Sequence, residues 1–264
     1  MCVTGVPDPS LFRQIEAPAR TSMQKIYQKE WFGIEFRSFT APDTQKLADA
    51  SFYERYYEKF FQKFSSYYDL PEEWRAGKQE VAQFILRKTK SNEKLLSIGC
   101  GIGYIEYLLG KTGRQVAAIE PSETAVLFLK ENCDIRVLCG LFPQSLAGES
   151  DAAYDLGYMV ATDYVFDQEE LISVLGSGRD IGLKRVLLVS ASVTDPNLLR
   201  RVSKSLGKRL LSLVRLYDRG QFWGYARTPE EFIASFEKAG YVVKDYGFLR
   251  QDTFFIEGSA EKAD

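Results

Sequence analysis

The chain has 264 residues and a formal net charge of −2, enough for one large α/β domain with an extension, and nothing in its charge points to a nucleic-acid partner. It contains no histidine, which excludes a Ser-His pair, an imidazole base or a His-ligated metal within the chain. Cys2, Cys100, Cys133 and Cys139 have no CxxC spacing, so neither a disulfide framework nor a metal site is expected, and a reducing cytoplasm is the expected location.

No apolar run approaches the roughly 20 residues of a membrane span, and the first residues lack the charged-then-apolar order of a signal peptide. Residues 1–43 carry several prolines and an aromatic patch, WFGIEFRSF (31–39), which reads as an irregular arm or a short strand packed on something else. Over 44–68 the pattern turns helical, with Phe52, Tyr53, Tyr56, Tyr57, Phe60, Phe61 and Phe64 at three- and four-residue steps. Such a stripe predicts core packing; the alternative is that one or two tyrosines on its edge face a ligand. Pro71 opens a further helix, about 72–90. Residues 1–70 are thus expected to form an N-terminal arm and aromatic helix ahead of a main domain, 71–264.

The main domain has a regular rhythm. KLLSI (94–98), QVAAIE (115–120), IRVLC (135–139), YDLGYMV (154–160) and KRVLLVSAS (184–192) predict strands, with helices over 104–111, 122–132 and 168–175. Alternating units of this size imply parallel strands joined by crossover helices, an α/β doubly wound sheet. Residues 195–227 interrupt the rhythm as a basic insertion. In TPEEF (228–232), Thr228 is placed as N-cap, Pro229 at the first helical position and Glu231 three residues after the cap; the helix stops at Gly240. YVVKDYGFL (241–249) and DTFFIEG (252–258) predict an antiparallel pair that closes a mostly parallel, seven-stranded sheet.

The stretch LLSIGCGIGYIE (95–106) carries the chemistry. Gly99, Gly101 and Gly103 remove side chains where backbone turns tightly or approaches a ligand, beyond a strand end where doubly wound folds bind their ligands. Glu120 ends the second strand, 21 residues after Gly99, where a carboxylate accepts hydrogen bonds from ribose hydroxyls. Loop and carboxylate together read as a nucleoside site. A dinucleotide fold wants G-x-G-x-x-G, with a third small residue at 104, where this chain has Tyr104.

LLSIGCGIGYIEYLL, with AAIEPS after it, resembles the first two motifs of class I S-adenosylmethionine-dependent methyltransferases, and residues 75–258 fit that family in outline. The resemblance implies a Rossmann-like methyltransferase fold with S-adenosylmethionine as cofactor. Ser97, Gly99, Cys100, Gly101 and Gly103 would lie against its methionine part. Glu120, with Pro121 after it, would hold the ribose, and Gly140, Leu141 and Phe142 would flank the adenine. Ala161 to Tyr164 would face the reacting methyl group. The family usually has an acidic residue two before the first glycine; Ser97 takes part in a hydrogen bond there but brings no charge toward the cofactor's ammonium.

A sulfonium methyl is already activated, so the protein must align the acceptor and, where needed, take up its proton. Asp163 and Tyr164, followed by Asp167, are the candidate catalytic contacts; the other reading has Asp167 capping the next helix and Tyr164 packing. In the insertion, LLRRVSKSLGKRLLSLVRL (198–216) sets leucines on one helical face and Arg200, Arg201, Lys204, Lys208 and Arg215 on the other. That pattern reads as a solvated face, or as a cover that meets an anionic membrane. QFWGYAR (221–227) suits stacking on an acceptor or packing the insertion down. The expected activity is methyl transfer, at oxygen, to a small molecule or a glycan- or lipid-linked intermediate. An NAD-dependent oxidoreductase and a non-catalytic binding module are the alternatives.

Overall fold

The computed structural model describes residues 23–147, 153–194, 218–250 and 252–260. The basic face expected over 198–216, and with it any membrane contact through that face, lies outside the described residues.

The first elements are β1 (Gln24–Gln28) and a small hairpin of β2 (Glu30–Trp31) and β3 (Ile34–Glu35). Phe32 and Gly33 turn this hairpin with φ of 54° and 65°, the left-handed pair that suits a two-residue connection. α1 (Ala50–Lys63) starts later than the predicted 44, because Asp49 accepts a hydrogen bond from the Phe52 N–H and caps the helix there. The pattern also outlasts the helix. Ser66 and Asp69 cap a separate turn, Tyr67–Asp69, that keeps Tyr67 buried. α2 (Glu72–Lys88) then leads to the sheet.

The sheet strands are β4 (Lys94–Ile98), β5 (Gln115–Glu120), β6 (Arg136–Cys139), β7 (Leu156–Val160) and β8 (Arg185–Ser190), alternating with α3 (Tyr104–Lys111), α4 (Glu123–Asn132) and α5 (Gln168–Asp180). α5 runs beyond the predicted 175, through Gly178, where an added Cβ would lie 3.2 Å from Leu183 Cδ1 and 3.4 Å from the Tyr241 hydroxyl. β9 (Gln221–Ala226) precedes α6 (Pro229–Lys238), β10 (Val242–Arg250) and β11 (Thr253–Ser259). The capping box at Thr228 and Glu231 forms as the sequence predicts, with Pro229 at the helix start.

The seven-stranded order is β10-β11-β8-β7-β4-β5-β6. β10, β11 and β8 pair antiparallel, and the rest are parallel. β4 lies between β5 and β7, so strand order reverses at β4 and leaves a crevice beyond its C-terminal end. α2 and α3 cover one face through Val81, Ile85, Ile105 and Leu109. α5 and α6 cover the other through Leu171, Leu175, Phe232 and Phe236. Among the described residues no helix is long and apolar enough to cross a membrane.

β9 lies within the predicted insertion yet forms a strand. It pairs antiparallel with β1, with Ile26 opposite Gly224. Trp223 stacks on Phe36 at 5.0 Å between ring centres and packs edge-on against Phe52 at 5.9 Å. These rings join the N-terminal residues, α1 and β9 in one aromatic cluster, which also takes in Ile102 and Tyr104 beside the glycine loop. The cover is tied to the sheet end by hydrogen bonds: the Tyr67 hydroxyl donates to the Ile102 carbonyl at 2.9 Å, and the Ser122 hydroxyl to Glu54 of α1 at 2.6 Å.

Candidate functional site

The loop after β4 is built from left-handed glycines. Gly99, Gly101 and Gly103 have φ of 71°, 58° and 68°, conformations that side chains disfavour. Their surroundings separate three purposes. A Cβ on Gly103 would lie 1.9 Å from Leu129 Cδ2, so this glycine serves the packing of α3 on α4. One on Gly99 would lie 2.5 Å from Thr162 Cγ2, where the loop meets the exit of β7. One on Gly101 would lie 2.9 Å from the Tyr57 hydroxyl, within the cavity between loop and cover.

Glu120 ends β5 beside this loop and is almost fully buried. It accepts from the Gly101 N–H at 2.8 Å through one oxygen and from the Ser122 N–H at 3.0 Å through the other. Burial pushes its carboxyl up to about 7, against these two backbone donors. Pro121, Gly140, Leu141 and Phe142 line the same cavity. Cys100 lines it too, and burial pushes its thiol well above the ordinary range, which suits a small packing group rather than a nucleophile.

Ser97 points into a buried polar cluster. Its hydroxyl donates to Glu106 Oε1 at 2.6 Å, and the Tyr158 hydroxyl donates to the same oxygen at 2.9 Å. β4 brings Ser97 alongside Tyr158 in the parallel register, and Glu106 descends from the first turn of α3.

At the end of β7, Ala161 takes a left-handed φ of 53°. The turn sends the Thr162 hydroxyl back to the Gly99 carbonyl at 2.7 Å and locks the two loops together. Tyr164 faces the cavity; its ring stacks on Trp223 at 5.9 Å, and its hydroxyl meets that of Tyr53 at 3.1 Å. The two candidate aspartates do not join it. Asp163 is fully buried away from the cavity lining, accepting from the Ser190 hydroxyl at 2.8 Å while Arg227 holds its backbone carbonyl at 2.9 Å. Asp167 is the N-cap of α5 in a reciprocal capping box with Glu170. The Asp163 carboxylate is taken by a side-chain hydroxyl and that of Asp167 by the start of α5, so of the three candidates in this loop Tyr164 is the one in the cavity wall.

No family model matches the chain, and no curated protein matches it in sequence. Solved structures match its fold. Magnesium protoporphyrin IX methyltransferase from Synechocystis PCC 6803, with bound SAM, aligns at a TM-score of 0.56 and 12% identity over 83% of this chain and 100% of that one. Human N-acetylserotonin methyltransferase in complex with SAM aligns at 0.51 and 16% identity, over 81% of this chain and 57% of that one. Mitomycin 7-O-methyltransferase aligns at 0.50 and 18% identity, over 70% and 54%. The chain has the fold of the S-adenosylmethionine-dependent methyltransferases.

Within this methyltransferase fold the cavity measures about 1070 Å³ and extends from the glycine loop to the aromatic cover. Gln24, Ile26, Gln28 and Trp31 of the N-terminal strands join Tyr53, Tyr57 and Trp223 in its wall. Burial pushes the Tyr53, Tyr57 and Tyr164 phenols well above their usual range, so they remain hydrogen-bond donors. Tyr53 and Tyr57 of the α1 stripe pack in the aromatic cluster, as the stripe predicts, and line the cavity as well. Glu106, Lys78 and the strand pairing of β1 with β9 were not legible in the sequence. The available signal for Glu106 was a carboxylate among apolar neighbours one turn beyond the third glycine.

Proposed function

We propose that this chain transfers the methyl group of S-adenosylmethionine to an oxygen of a small, planar acceptor. The observation that carries the reading is the convergence of the Gly99–Gly103 loop and Glu120 with the Tyr53, Tyr164 and Trp223 group in one cavity. The residues fit the cofactor. Gly101 leaves open a cradle that a Cβ would fill against Tyr57, and Glu120 offers a carboxylate already oriented by two backbone donors. Glu120 would hold the ribose hydroxyls, and Leu141 and Phe142 would flank the adenine. Bound there, S-adenosylmethionine would supply a methyl group already activated by its sulfonium.

This chain's own residues then orient the acceptor and exclude water. Tyr164, backed by Trp223, presents ring surface to a flat molecule, and the paired hydroxyls of Tyr53 and Tyr164 fix its oxygen. The phenols hold their protons too firmly to act as bases. The acceptor oxygen must therefore be ionised before it enters the cavity, which favours phenols, enols and carboxylic acids over alcohols. The similar mitomycin enzyme, an O-methyltransferase by name, supports oxygen as the accepting atom. The free thiols of Cys100, Cys133 and Cys139 support a reducing, cytoplasmic setting.

The test is binding followed by transfer. Calorimetry of the purified chain should give saturable binding of S-adenosylmethionine and none of NAD. Methyl-tritiated cofactor with a panel of phenols, enols, carboxylic acids and amines should then label an oxygen compound. Binding of NAD in its place would overturn the reading, and labelling confined to amines would overturn the choice of oxygen.

A further inference from the structure

Beside the glycine loop the cavity wall carries two opposite charges. Glu106, in the first turn of α3, is 3% exposed, and Lys78 stands half-buried on α2; both line the cavity. Ser97 and Tyr158 converge on one Glu106 oxygen and fix the carboxylate's direction. The helix N-terminus favours its negative charge. The Lys78 ammonium lies over the Trp74 ring at 5.5 Å. Burial works against both charges, and each favours the charged form of the other. A charge withdrawn from water is costly unless opposite charge meets it. Two opposite charges in one cavity wall match a zwitterion.

We infer that Glu106 and Lys78 receive the α-ammonium and α-carboxylate of an amino-acid group, here the methionine end of S-adenosylmethionine. The inference rests on the cofactor reading above. It gives Ser97 a role: the serine lacks a charge of its own but holds the Glu106 carboxylate by its hydroxyl. The acidic group is thereby supplied from α3 rather than from β4.

The test compares two ligands by calorimetry on the full chain. S-adenosylhomocysteine keeps the amino-acid end, and 5′-methylthioadenosine lacks it. Glu106→Gln should weaken S-adenosylhomocysteine about tenfold or more while leaving 5′-methylthioadenosine within about twofold, the size expected for one charged hydrogen bond. Lys78→Met should give the same split, and keeps the test open should Glu106→Gln fail to fold. Ser97→Asp placed in Glu106→Gln should restore S-adenosylhomocysteine binding. Equal weakening of both ligands, or no change in either, would overturn this inference alone. An unaltered chain that binds neither ligand would overturn the cofactor reading and the inference with it.

Discussion

The hydroxyls of Tyr53 and Tyr164 meet at 3.1 Å, one carried by α1 and the other by the loop that leaves β7. They are 111 residues apart in sequence, so the acceptor end of the cavity exists only when the cover is seated on the sheet. The pair has one proton to share between the oxygens and a second to offer a ligand. Tyr164→Phe should therefore lower kcat/KM for the acceptor about tenfold, the value of one hydrogen bond, and leave S-adenosylhomocysteine affinity unchanged. Tyr53→Phe should do the same, because either substitution breaks the hydroxyl pair while keeping the rings. Equal loss of cofactor affinity in either variant would show that the pair serves the fold.

Glu120 makes binding depend on pH. Its carboxyl is raised to about 7 from an ordinary 4.5, so it is protonated in the free protein below neutrality. The ionised form is the better acceptor for ribose hydroxyls, so S-adenosylhomocysteine binding should tighten from pH 6 to pH 8. Stability of the free protein runs the other way. A raised folded pKa contributes stability that is complete below 4.5 and lost as pH climbs through about 7, on the order of 3 kcal/mol. Glu120→Gln should flatten both profiles over this window and weaken S-adenosylhomocysteine and 5′-methylthioadenosine alike. A preserved pH slope in the variant would assign the titration to another group.

The three glycines should separate by readout. Gly103→Ala drives a Cβ into Leu129 in a left-handed conformation, and should cost about 2–4 kcal/mol. The melting temperature should fall by roughly 5–15 °C. Gly101→Ala meets only the far end of Tyr57, so it should cost less stability and instead abolish cofactor binding by filling the cradle. Thermal melts paired with ligand titration distinguish the two. A Gly101→Ala protein with unchanged affinity would remove that loop segment from the site.

Sequence pattern carries the sheet well because its strands are short apolar runs bounded by turns, and because Thr228, Pro229 and Glu231 mark a helix start through local chemistry alone. The glycine-loop end of the cavity is legible for the same reason: the glycines and Glu120 belong to one βαβ unit. The cover is not. β1 pairs with β9, whose residues lie some 200 positions further on, and QKIYQ alternates too weakly to announce a strand. Its order comes from rings contributed by three separate segments: Trp31 and Phe36, Phe52, and Trp223. The surroundings of Asp163 are hidden from the sequence for a related reason. Its position after β7 fits a reacting group, and only tertiary packing shows that its carboxylate turns inward.

Arg227 anchors the loop that carries Asp163 and Tyr164. Arg227 is fully buried and donates to the Asp163 carbonyl at 2.9 Å, to the Phe166 carbonyl at 2.5 Å and to Gln168 Oε1 at 3.2 Å. Burial raises the Asp163 carboxyl to about 6, with the Ser190 hydroxyl and the Arg227 charge opposing that rise. Raised above its ordinary 3.8, the group contributes stability that is lost as pH climbs from about 4 through 6. Asp163→Asn should abolish that part of the pH dependence while keeping methyl transfer within about threefold, because the carboxylate does not reach the cavity. Arg227→Lys keeps the charge but not the three-way fork, and should lower the melting temperature much more than Asp163→Asn does. A hundredfold fall in kcat for Asp163→Asn, with cofactor affinity and melting temperature intact, would instead place this carboxylate in the chemistry.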